Sequence, residues 1–93
     1  MYPAISADAP VVVWLNGGPG ASSTLANFVF HGPLRIAQDS QTGAFEMYTT
    51  NQTWINTATV IYIDQPVQTG FSYGTPLLTN MDEVTSEFIN FLD

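Results

Sequence analysis

Five apolar residues, Val11-Val12-Val13-Trp14-Leu15, run straight into Asn16-Gly17-Gly18-Pro19-Gly20, and a helix-compatible stretch follows at once. The run is β-branched and does not alternate with polar residues, the pattern of a strand buried on both faces of a parallel sheet. A strand that ends in such a turn leaves bare backbone N–H groups at the start of the next helix. That place suits an anion or a developing oxyanion. A tight strand-to-helix turn without chemistry fits the same residues. The string is neither a dinucleotide fingerprint nor a P-loop, because no Lys follows Gly20.

Composition narrows the setting. The 93 residues are 45% hydrophobic but only 10% charged, against about 25% charged in an average soluble domain. So little charge predicts a core segment whose surface is largely covered by other protein. Formal net charge is −7 and Arg35 is the single Lys or Arg, which excludes a phosphate-backbone binder and disfavours an anionic membrane surface. Cysteine is absent and histidine occurs once, so disulfides and thiolate metal sites are excluded, and no metal or cofactor is expected. Residues 1–10 carry no basic and apolar leader pattern. No apolar run approaches the ~18 residues of a membrane span. Asn51-Gln52-Thr53 is a glycosylation sequon, meaningful in an exported chain.

Along the chain, residues 1–10 read as coil around Pro3 and Pro10. Ala21 to Phe30 reads as a helix with Leu25, Phe28 and Val29 on one face and Ser22 and Ser23 in its first turn, stopped by Gly32-Pro33. Residues 34–37 and 45–48 flank a polar, glycine-containing loop and predict a hairpin. Thr59 to Ile63 predicts a second parallel strand, and residues 64–76 a long loop at its C-terminal end. Asn80 and Glu83 have capping-box spacing before a helix with Val84, Phe88, Phe91 and Leu92 on its apolar face. That helix meets the last residue without a stop signal, so the chain reads as cut. The order predicts an α/β fold with a mostly parallel sheet, in which ligands lie beyond the carboxyl ends of the strands.

Four ordered motifs carry a resemblance that covers the chain from about Pro10 onward. They are residues 14–23 (Trp-Leu-Asn-Gly-Gly-Pro-Gly-Ala-Ser-Ser), 30–36 (Phe-His-Gly-Pro-Leu-Arg-Ile), 51–60 (Asn-Gln-Thr-Trp-Ile-Asn-Thr-Ala-Thr-Val) and 63–73 (Ile-Asp-Gln-Pro-Val-Gln-Thr-Gly-Phe-Ser-Tyr). Together they resemble the serine carboxypeptidases, an α/β-hydrolase family. The resemblance implies that residues 1–93 form the N-terminal part of such a domain, with the remainder of the domain as partner. It also implies acyl-enzyme removal of C-terminal residues from peptides or proteins, in a lysosome- or vacuole-like compartment or outside the cell.

By the same resemblance Gly18 gives an oxyanion-hole N–H, and Asn16 and Gly17 bind the substrate's C-terminal carboxylate. Leu25, Val29 and Phe30 line the pocket for the departing residue; for Leu25 and Val29, plain core packing is an equal alternative. Ala21 stands where many members have Cys, Phe30 where many have Glu, and Gln68 where a small residue is usual. The nucleophile motif Gly-Glu-Ser-Tyr-Ala-Gly does not occur here, nor do the later Asp and His, so the triad cannot be assembled from these residues. Ser22 and Ser23 read as helix caps, His31 as structural, and Asp64 as a loop-shaping residue. The chain alone is therefore expected not to catalyse. An acyltransferase on the same scaffold and an inactive truncated product are the alternative readings.

Overall fold

A computed structural model describes residues 1–93. Strand β1 (Val11–Trp14) and strand β4 (Thr59–Tyr62) pair in parallel, in register from Val11 opposite Thr59 to Trp14 opposite Tyr62. Parallel pairing puts both carboxyl ends at one edge, so the loops after Trp14 and after Tyr62 emerge side by side. The opposite edge of β4 is also paired. Tyr2 and Val60 exchange backbone hydrogen bonds of 2.8 and 2.9 Å, and the Ala4 N–H donates to the Thr59 hydroxyl at 3.0 Å. Residues 1–10, expected as coil, thus include one antiparallel bridge. Held between two neighbours, Val60 is fully buried.

The expectation that β1 is buried on both faces is not met: Val11 is 63% exposed and Val13 is exposed as well. The reason is geometric. No strand pairs with the outer edge of β1, and too few elements exist to cover both faces of the sheet. The chain is correspondingly open, with a radius of gyration of 15.5 Å where about 12 Å is usual for this length.

Helix α1 spans Thr24–Val29, shorter than the expected 21–30. Its would-be first turn is held by other bonds: the Asn16 N–H donates to Ser23 Oγ at 2.9 Å, and Ser22 Oγ donates to Asp64 at 2.7 Å. Neither serine side chain caps the helix, which corrects their reading as caps. The Thr24 N–H instead donates to the Asp64 carboxylate at 3.0 Å. The buried face of α1 is Ala26 and Asn27, while Leu25 and Val29 are both 55% exposed. At its C-terminal end the guanidinium of Arg35 donates to the carbonyls of Phe30, Gly32, Leu34 and Gln52, a cation placed where unpaired carbonyls gather.

Strands β2 (Leu34–Gln38) and β3 (Phe45–Thr49) form the expected antiparallel hairpin, Leu34 opposite Thr49. Asp39 shapes its loop by accepting from the N–H groups of Gln41 and Thr42. A short 3-10 turn (Trp54–Asn56) leads into β4. Helix α2 (Met81–Leu92) begins at Asn80, whose Oδ1 accepts from the Glu83 N–H at 3.0 Å. The return bond of the capping box goes to the Thr79 N–H rather than to Asn80. Val84 of α2 is buried, Phe88 half-buried and Phe91 exposed.

Candidate active site

The turn at 16–20 is built around the side chain of Asn16. Trp14 and Asn16 lie two residues apart at the end of a strand, so both side chains leave the same face. The Trp14 indole N–H donates to Asn16 Oδ1 at 2.7 Å, and Asn16 Nδ2 donates to the Ser22 carbonyl at 2.8 Å. An indole N–H can only donate, so it fixes which end of the amide is oxygen. One Nδ2–H remains unbonded. Beyond it, Gly18 has φ +126°, a region only glycine occupies without strain. The N–H groups of Gly17 and Gly18 are exposed and have no partner within the chain.

Asp64, one residue past Ile63 at the end of the β4 extension, ties the neighbouring loop to this turn. Its carboxylate accepts from the Ser22 hydroxyl at 2.7 Å, the Thr24 N–H and hydroxyl at 3.0 Å each, and the Phe71 N–H at 3.1 Å. Burial pushes the Asp64 pKa up, but these donors outweigh it and hold it below the ordinary carboxylate value. Gly70, at φ +56°, passes so close that a Cβ would overlap the Asp64 carboxylate and lie 2.8 Å from Ser22 Oγ.

Beneath the turn lies an aromatic layer. His31 stacks on Trp54 at 3.9 Å between ring centroids with an 8° interplanar angle, and meets Trp14 edge-on at 4.5 Å. Its Nδ1 lies 2.9 Å from the Tyr62 hydroxyl, while Nε2 is buried without a partner. Burial lowers the His31 pKa, and the charge of Arg35 lowers it further. The ring is thus packed against two indoles and the Tyr62 phenol as part of the aromatic layer.

Asn16, Gly17 and Gly18 therefore come together at one strand end. Leu25 and Val29 stand one helical turn apart on the exposed side of α1, and Phe30, 60% exposed, caps its end. None of the three is buried within these 93 residues. The two-residue spacing of Trp14 and Asn16 at a strand end is visible in the sequence, but the bond by which Trp14 orients the Asn16 amide is not. Asp64 is likewise visible as a loop residue, but its four donors are not. The signal was an acidic residue at a strand end with a glycine six residues on.

Parallel strands whose carboxyl ends carry two glycine-bearing loops, with a helix and a hairpin between them, form a mixed α/β segment consistent with part of an α/β-hydrolase fold. The family model for serine carboxypeptidases matches residues 3–93, and the chain belongs to that family. It is 43% identical over 88 residues to Serine carboxypeptidase S10 family member 2 of Dictyostelium discoideum, covering 91% of this chain and 16% of that protein. It is 40% identical over 86 residues to Serine carboxypeptidase-like 47 of Arabidopsis thaliana, covering 89% and 16%. With the pheromone-processing carboxypeptidase KEX1 of Candida dubliniensis it shares 38% over 82 residues, covering 88% and 11%. The chain thus spans less than a fifth of the length of these relatives.

Proposed function

We propose that residues 1–93 are the N-terminal segment of a serine carboxypeptidase domain, and that they supply the half of its active site that receives the substrate. The observation that carries this reading is the pair of unpartnered N–H groups at Gly17 and Gly18 beside an amide oriented by Trp14. A free C-terminal carboxylate accepts from the remaining Asn16 Nδ2–H and the Gly17 N–H, so no cation is needed to read it. The scissile carbonyl oxygen then lies at the Gly18 N–H, which stabilises the negative charge that grows on it. A serine from the rest of the domain attacks and releases the C-terminal residue past Leu25, Val29 and Phe30, and water hydrolyses the acyl-enzyme. One oxyanion donor of this kind accounts for roughly 100- to 1,000-fold in rate. The rest of the domain covers the open edge of β1 and the exposed apolar side chains. The compartment is lysosome- or vacuole-like, or extracellular.

The test is an assay of the intact protein that contains this chain, beside the 93-residue chain alone, with an N-blocked dipeptide. Serine-reagent-sensitive release of the C-terminal residue by the intact protein, and none by the chain alone, is the expected result. Activity of the chain alone overturns the division of the site, and predominant transfer of the acyl group to an added alcohol overturns the hydrolase reading.

A further inference from the structure

We infer that Asn51 is an N-glycan acceptor, taking an oligosaccharide from a polyprenyl-diphosphate carrier. The sequence holds one Asn-x-Ser/Thr string, Asn51-Gln52-Thr53, with neither Pro at the middle position nor Pro after it. The fold divides the work of these three residues. Thr53 is explained by structure: its hydroxyl donates to the His31 carbonyl at 2.9 Å and caps the 3-10 turn by accepting from the Ile55 N–H. The Gln52 carbonyl is held by Arg35 at 3.1 Å. Asn51 is different. It is exposed, it lies in the bend after β3, and its side-chain amide forms no hydrogen bond, so nothing in the packing requires an amide there. Only its carbonyl is engaged, by Asn56 Nδ2 at 2.7 Å.

In the transfer, the Asn51 amide nitrogen bonds to the anomeric carbon as the bond from that carbon to the diphosphate oxygen breaks. The diphosphate leaves as its anion and the amide proton passes to a base. Because the folded chain occupies the Thr53 hydroxyl twice, transfer precedes folding of this segment. The glycan then projects from the base of the hairpin, and Gln52 and Thr53 stay tied to the end of α1.

The proposal rests on the exported compartment proposed above and not on the catalytic reading, so its readout is a mass. In one arm the full chain is imported into microsomes behind a cleavable leader. The wild type and Thr53→Ser gain one glycan, and Asn51→Gln and Thr53→Ala gain none. A protease-protected wild-type chain without glycan overturns the inference. In the second arm the protein from its own cells is treated with peptide N-glycosidase in heavy-oxygen water. Conversion of Asn51 to a labelled Asp supports it. An intact, unlabelled Asn51 overturns native modification, and together with a positive first arm it places the failure in the compartment.

Discussion

The carboxylate of Asp64 accepts a hydrogen bond from the Ser22 hydroxyl at 2.7 Å, joining the two strand-end loops across 42 positions of sequence. With Thr24 and Phe71 as its other donors, this one side chain fixes where the glycine turn ends, where α1 begins and how the loop after β4 folds back.

Replacing Asp64 by Asn keeps the shape but turns one acceptor into an NH2 that faces donors. Bonds to a charged group contribute about 1.5–3 kcal/mol each, and an unsatisfied donor costs a similar amount. Asp64→Asn is therefore expected to speed amide exchange at Thr24 and Phe71 at least tenfold, and to leave the hairpin amide of Tyr48, opposite Arg35, unchanged. Unchanged exchange at Thr24 contradicts the clamp.

Two glycines separate steric clash from backbone strain. Gly43, in the hairpin loop at φ +72°, has only Gln38 Nε2 near the position of an added methyl, at 3.9 Å, whereas at Gly70 the methyl would strike Asp64 and Ser22. Gly43→Ala is expected to cost about 1–2 kcal/mol, the strain of a left-handed alanine. Gly70→Ala is expected to cost at least about 2 kcal/mol more. Comparable midpoints in urea for the two variants sink this account.

Acid is expected to weaken the fold in two windows. His31 has a lowered pKa in the folded state, so the unfolded chain takes up a proton first, and stability is lost as pH falls below about 6.5, through the folded value. Asp64 is also lowered, so its contribution is present above about 3.9 and is lost as pH falls further, through its own folded value. His31→Phe is expected to flatten the upper window and spare the lower one. A urea series across pH checks this, and an upper window that survives the substitution refutes the assignment.

The elements are legible in the sequence where local chemistry decides them. The β-branched runs mark β1 and β4, the polar loop marks the hairpin, and Asn80 marks the start of α2. What is not legible depends on partners distant in sequence. Nothing around Ser22 or Ser23 announces that Asp64 and Asn16 claim their hydroxyls, so the local pattern starts α1 three residues too early. The apolar pattern of β1 overstates its burial because no strand pairs with its outer edge and these 93 residues supply no layer over both of its faces. At the candidate site, the motif marks Asn16, Gly17 and Gly18 for the roles proposed above, whereas the contacts of Trp14 and Gly70 require the folded turn.

The role proposed for Asn16, reading a free C-terminal carboxylate, is tested by comparing two substrates in the intact protein. Asn16→Ala is assayed with an N-blocked peptide and with the same peptide bearing a C-terminal amide. kcat/KM for the free acid is expected to fall roughly 10- to 100-fold more than for the amide, the loss of one bond to a charged group. Equal losses on both substrates would contradict it, because they would mean that Asn16 serves only to hold the turn.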